Sequence, residues 1–179
     1  AGNHIAHVVA LFATLLAGRI WVPLNPRAGQ AELRRIIEFT EAALVIAEDD
    51  QATKVADAGA PLMRYRPGGG QDDLSQAIER HRGRMPDAVY PALARTQAIK
   101  FTGGTTGLPK GVMQSLRSWN ACIVSIMQAM RLDEHVRYLA VASITHGTST
   151  FLLPVLGCGG TVLLPASTRP RDVLDQIGR

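Results

Sequence analysis

FTGGTTGLPKGVM (101–113) crowds glycines, adjacent threonines and a single lysine, Lys110, into one short stretch between two apolar ones. Glycine loses more backbone entropy on ordering than any other residue, so such a cluster marks a bend or a close approach to another group. Threonine hydroxyls, free backbone N–H groups and one ammonium are the donor set that a polyphosphate requires. QAIKFT (97–102), just before it, reads as a strand. After it, Leu116, Trp119, Ile123, Ile126, Met127 and Met130 fall on one face of a helix over 115–130, with Ser115 placed to cap it. A strand, a glycine-rich turn and then a helix make an anion site, because N–H groups at the turn and at the helix start converge on negative charge. The stretch is not a Walker loop, which needs Gly before the Lys and Ser or Thr after it; here Pro109 precedes Lys110 and Gly111 follows. No GxGxxG fingerprint fits it either.

Working outward, the same alternation repeats. IAHVVALFATLLAG (5–18) carries Ile5, Val8, Val9, Phe12, Leu15 and Leu16 at helical spacing, which predicts a buried amphipathic helix ending at Gly18. IWVPL (20–24) comes next as a strand, then NPRAG as a turn, then QAELRRIIEFTEA as a helix with Leu33, Ile36 and Ile37 inward. ALVIA (43–47) reads as a strand, EDDQATKVADAG as a third helix and PLMRY as a further strand. RPGGGQDD (66–73) is a loop, LSQAIERHR a short helix and MPDAVYPA irregular. Past the long helix come a strand RYLAVA (137–142), a helix-like HGTSTFLLPVLGCGG containing Pro154, and a strand TVLLP (161–165). The pattern predicts an α/β fold with a largely parallel sheet flanked by helices. No internal repeat is present.

Bulk composition excludes several classes. A chain of 179 residues, 46% hydrophobic and 19% charged, is ordinary for a globular domain with a sizeable core. The net charge of +4 comes from scattered arginines and from Lys54, Lys100 and Lys110, without the basic, aromatic-laced stripe of a nucleic-acid binder. Cys122 and Cys158 fit neither a disulfide framework nor a zinc spacing, and their apolar neighbours predict buried, reduced thiols. The first apolar run lacks a basic flank, carries His7 and is shorter than the roughly 20 residues of a spanning helix, so no transmembrane segment is expected and a cytoplasmic location is.

FTGGTTGLPKGV resembles the phosphate-loop signature of the adenylate-forming superfamily, which contains acyl- and aryl-CoA ligases, luciferases and peptide-synthetase adenylation domains. The family pattern is an aromatic followed by T-S/G-G-T-T-G-x-P-K-G, and Phe101 through Gly111 fit it, with Gly103 where many members carry serine. Two flanking regions agree in the right order. LLAGRIWVPLNPRAGQAELRRIIEFTEAALVIAE is similar to the family's upstream region, and its VPLNP resembles CoA ligases more than the VPLDP usual in peptide synthetases. SITHGTSTFLLPVLGCGGTVLLP is similar to the downstream region, where a histidine borders the acyl pocket.

The resemblance implies a two-step reaction: a carboxylate attacks the α-phosphorus of ATP and expels pyrophosphate, then a thiol such as CoA displaces AMP. It implies that Thr102, Thr105, Thr106 and Lys110 hold the β- and γ-phosphates, with N–H groups of Gly103, Gly104 and Gly107. Lys110 supplies a point charge matched to departing pyrophosphate. It places His146 beside the reacting carboxylate, with Gly147, Thr148 and Thr150 lining the same pocket; Trp119 is expected in the core. His4, His7, His81 and His135 receive no role. The family's adenine-, ribose- and magnesium-binding segments and its small C-terminal domain have no counterpart here. The chain is therefore expected to be one partial adenylation domain, 1–179, truncated at both ends, with Mg2+ ligands outside it and exposed faces that favour self-association as a homodimer. Two classes stay open. One is part of an ATP-dependent carboxylic acid–CoA ligase acting on a fatty or aromatic acid, or of another adenylate-forming enzyme (peptide synthetase or luciferase-like). The other is a non-catalytic α/β module. The intact loop favours an active parent; the length favours an inactive chain.

Overall fold

The computed structural model describes residues 3–67, 71–87, 89–102 and 110–177. They fall into two compact units, Leu24–Val89 with Phe101–Gly111, and Gly2–Pro23 with Tyr90–Lys100 and Val112–Arg179.

The first unit is built on α2 (Gln30–Phe39), whose Leu33, Ile36 and Ile37 are buried as their spacing predicts. Strands β1 (Val45–Glu48) and β2 (Leu62–Tyr65) pair in parallel, Val45 opposite Leu62 through Glu48 opposite Tyr65. Ala28, Leu33, Ile37, Val45, Val55 and Ala58 form the core between helix and strands. The helix expected between these strands is a single 3₁₀ turn, Ala52–Lys54. Its buried residues agree with the difference: Ala52, Val55 and Ala58 recur every third position, the spacing of a 3₁₀ turn rather than of an α-helix, and Val55 is its C-cap. After β2, α3 (Asp73–Arg80) starts at Asp72, whose carboxylate accepts from Ser75 N at 2.6 Å and from Arg66 N at 2.8 Å. One side chain thus caps the helix and fixes the chain leaving β2.

The second unit begins with α1 (Ile5–Leu16), of which only Ala10 and Leu11 are buried, less than the sequence pattern predicts. IWVPL is not a strand. Trp21 makes one parallel bridge to Ala98, donating to Gln97 O and accepting from Ile99 N, both at 3.0 Å. Pro23 has no N–H with which to continue the ladder. Strand β3 (Thr96–Thr102) is followed by β4 (Lys110–Ser115), its neighbour in a two-stranded sheet, and then by α4 (Leu116–Met130). Ser115 caps α4 as expected, accepting from Ser118 N at 3.2 Å. The predicted stripe, from Leu116 through Met127, is half-buried, Met130 is exposed, and no residue of α4 is fully buried.

Strand β5 (Arg137–Leu139) pairs in parallel with β6 (Thr161–Leu163) across the helix α5 (Thr148–Gly157), which contains Pro154. The expected strand 137–142 stops early, although Ala140 N still donates to Leu163 O at 2.9 Å. Gly160 lies where α5 returns into β6, and a Cβ there would sit 2.3 Å from Val136 Cγ1. α6 (Pro170–Ile177) closes the described chain. Leu11, Trp21, Ala98, Ile144 and Leu152 form the second core. Full burial of a Leu or Ile side chain is worth about 1.5–3 kcal/mol, so this cluster alone is a large share of a unit's stability. Parallel pairings flanked by helices make the chain α/β, as the alternation predicts. Among the described residues no helix is long and apolar enough to cross a membrane.

Candidate active site

The glycine-rich connection joins the end of β3 to the start of β4. Thr102 closes β3, Lys110 opens β4, and both side chains are exposed. Gly103, Gly104, Thr105, Thr106 and Gly107 lie outside the described residues. The order of elements here corrects the expectation of strand, turn and helix. A second strand intervenes, and α4 begins only after Lys110 has been left behind. Nor are the first N–H groups of α4 free for an anion. Leu116 N donates to Arg95 O at 3.0 Å, Arg117 N to Leu93 O at 2.8 Å and Ser118 N to Ser115 Oγ. A helix start whose donors are already used cannot hold phosphate in the way a free one does. β4 is invisible to periodicity because Val112 and Met113 are both exposed, 49% and 69%. Pairing with β3 makes it a strand, not an apolar face.

His146 is exposed, in the turn just before α5. Its N–H donates to Ser143 O at 3.0 Å, and its Nδ1 lies 3.3 Å from Thr145 Oγ1, which is itself 2.8 Å from Ser143 Oγ. The free edge of the imidazole is therefore oriented from behind by a hydroxyl pair. Thr148 is buried, its hydroxyl donating to Ala142 O, so it supports the turn; Gly147 is the N-cap position of α5. Asn3 holds the same segment from the far end of the sequence. Its Nδ2 donates to Ala140 O at 2.5 Å and Ala142 O at 2.6 Å, and its Oδ1 accepts from Ile144 N at 2.9 Å. Nothing in the sequence announces this clamp, because its partners lie about 140 positions away.

A cavity of about 110 Å³ opens between β3, β4, α4 and α5, and its walls include Lys100, Gln114, Trp119, Cys122, Ser149 and Thr150. Lys100 Nζ donates to Ser149 Oγ at 2.9 Å and sits 5.7 Å from the Trp21 ring centre and 5.8 Å from that of Trp119. The two indoles meet edge to face at 6.2 Å. Burial lowers the ammonium pKa, and the two π faces offset part of that cost. Ser149 Oγ donates in turn to His146 O at 2.7 Å, which ties the lysine to the histidine turn. Trp119 is half core and half cavity wall, its Nε1 donating to Gln114 Oε1 at 2.9 Å. Cys122 is exposed and Cys158 half-buried, which corrects the expectation of two buried thiols. Lys100 escapes a reading of the sequence for motifs. Its only signal there is a lysine inside an otherwise apolar strand, AIKF. Among the described residues no group of three or more His, Cys, Asp or Glu side chains is placed to hold a metal ion.

The family model of the AMP-binding enzymes matches residues 1–179. Feruloyl-CoA synthase of Amycolatopsis sp is 31% identical over 179 residues, 98% of this chain and 34% of that protein. Pyochelin synthetase PchE of Pseudomonas aeruginosa is 31% identical over 167 residues, 92% of this chain and 10% of that protein. Among solved structures, ATP-bound MatB from Rhodopseudomonas palustris superposes with a TM-score of 0.86 at 23% identity, covering 100% of this chain and 36% of that one. A long-chain-fatty-acid-CoA ligase (FadD1) from Archaeoglobus fulgidus gives 0.86 at 21% identity, with 98% of this chain and 36% of that one covered. The chain thus spans about a third of the length of the ligases it matches.

Proposed function

Because the chain belongs to the AMP-binding enzyme family, we propose that it is the phosphate-loop and acid-pocket part of an ATP-dependent carboxylic acid–CoA ligase. The observation that carries this reading is FTGGTTGLPKG with both of its described ends, Thr102 and Lys110, exposed and held by paired strands. ATP is a co-substrate, and the donor set suits its phosphates: a hydroxyl from Thr102, further hydroxyls from Thr105 and Thr106, N–H groups of Gly103, Gly104 and Gly107, and the Lys110 ammonium. The carboxylate oxygen bonds to the α-phosphorus as the bond to pyrophosphate breaks; the CoA thiolate then bonds to the acyl carbon and AMP leaves. Each step begins with an anion approaching another charged or polar centre, so electrostatic stabilisation dominates the barrier. Lys110, compact and exposed, is suited to charge that accumulates on departing pyrophosphate. His146, held by Ser143 and Thr145, can donate a hydrogen bond to the reacting carboxylate. Among the described residues no group of three or more His, Cys, Asp or Glu side chains is placed to hold Mg2+.

Feruloyl-CoA synthase and VPLNP favour an aromatic or fatty acid and CoA as the thiol. The equal identity to PchE keeps a peptide-synthetase adenylation domain as the second reading. Acid-dependent exchange of labelled pyrophosphate into ATP, by the gene product that carries this segment, tests the adenylation step. CoA consumption then separates the two readings. Absence of exchange with every aliphatic and aromatic acid, in folded protein with the loop intact, would refute the proposal.

A further inference from the structure

Lys100 is a strand residue with its charge inside the second unit and no carboxylate beside it among the described residues. A half-buried ammonium has three donors, and among the described residues one is used, on Ser149 Oγ. Two indole faces stabilise the charge without neutralising it. The ammonium also faces a cavity whose walls divide in two: Gln114 and Thr150 offer polar groups, whereas Trp119 and Leu153 are flat or apolar. Space of about 110 Å³ holds a small end group and part of a ring, not a long chain. Ser149 Oγ, on the cavity wall, donates to His146 O at 2.7 Å, so the cavity adjoins the turn that carries that imidazole.

We propose that this cavity takes the far end of the acid substrate and that Lys100 selects a second carboxylate there, so that the preferred acid is a compact dicarboxylate. Calling the ligand a substrate, and placing its reacting end at His146, rests on the ligase reading; the recognition of carboxylate by Lys100 does not. A carboxylate accepts from the ammonium, the Gln114 amide and the Thr150 hydroxyl together. Its ring or short apolar body lies against Trp119. An uncharged end leaves the ammonium without an anion in a site that excludes part of its water, and is bound less well.

The test uses the 179-residue chain without ATP and three probes of one shape: terephthalate, 4-hydroxybenzoate and 4-methylbenzoate. Calorimetric titration should give terephthalate about tenfold tighter binding than 4-methylbenzoate, with 4-hydroxybenzoate close to the methyl compound. Bound terephthalate should slow alkylation of Cys122 on the cavity wall and leave Cys158 unchanged. Lys100→Met keeps the length of the stem against the indoles and should bring the three affinities within about twofold, chiefly by weakening terephthalate. Lys100→Gln serves the same purpose should the Met variant not fold, and the ranking by unmodified protein stands without either. Equal binding of the three probes, no binding of any, or a terephthalate preference that survives loss of the lysine overturns the inference. A Lys100-dependent preference without pyrophosphate exchange would leave this site standing and remove the ligase reading. Exchange that runs as well with 4-methylbenzoate as with terephthalate would do the reverse.

Discussion

Asn3→Ala removes the side chain that grips the turn leading to His146. Three hydrogen bonds go with it, from Asn3 Nδ2 to Ala140 O and Ala142 O and from Ile144 N to Asn3 Oδ1. Such bonds are worth about 0.5–1.5 kcal/mol each net of water. Ala142 O keeps the Thr148 hydroxyl and the site is only partly buried, so the lower half of that range applies, giving about 2 kcal/mol in total. In a chain of this size that is a fall in melting temperature of about 4–8 °C. Ala140 O and Ile144 N also lie next to the β5–β6 ladder and the core residue Ile144, so the loss should be local before it is global. Amide exchange at 140–146 should accelerate about tenfold or more, while exchange in α2 stays unchanged. Asn3→Asp sharpens the test: it can still accept from Ile144 N, but it sets a carboxylate against two carbonyl oxygens and should be at least as destabilising as Ala. Thermal unfolding with amide exchange reads both effects. An Asn3→Ala protein that melts within a degree of the parent, with unchanged exchange at 140–146, would show that the clamp carries no free energy.

Gly160→Ala should destabilise by about 1–3 kcal/mol or block folding, because the new methyl would meet Val136 Cγ1 at 2.3 Å and the carbonyls of Val136 and Val155 at 2.9 and 3.0 Å; urea unfolding measures it, and a neutral result contradicts the packing at the α5–β6 return. Lys110→Ala should leave stability within about 0.5 kcal/mol, since the side chain is exposed, yet slow pyrophosphate exchange in the parent enzyme about a hundredfold or more; an unchanged rate removes its role. His7 packs edge-on to Trp21 at 6.4 Å, and burial lowers its pKa from 6.5 to about 4. The unfolded chain therefore binds the extra proton first, so stability is full above pH 6.5 and falls as pH drops toward about 4; His7→Leu should flatten that limb of a pH-stability curve.

Much of the architecture is legible because it rests on patterns the sequence repeats. α2 announces itself through Leu33, Ile36 and Ile37, α4 through its apolar stripe and Ser115, and the parallel strands through apolar runs separated by crossovers. The loop motif is legible as chemistry, being a donor set written in consecutive residues. The failures have two causes. The Trp21 bridge and the Asn3 clamp are made by partners distant in sequence, and pairing of that kind leaves no local period; β4 pairs with the neighbouring β3 but has Val112 and Met113 both exposed and so no apolar face to announce it. Lys100 escapes because its meaning depends on two indoles and a serine that only folding brings to it. Cys122 misleads in the opposite way: its apolar neighbours lie along the chain, whereas its exposure depends on what covers α4.

The carbonyls of Leu93 and Arg95, which hold the first N–H groups of α4, have a consequence for how freely the signature can vary. They anchor the first turn of the helix to the segment that precedes β3, and Ser115 caps it. The start of α4 thus draws these partners from residues on either side of the signature. A lineage could lose or retune the chemistry of this stretch and keep the fold, and a designer could graft a foreign connection between Thr102 and Lys110 and expect the second unit to fold unaltered.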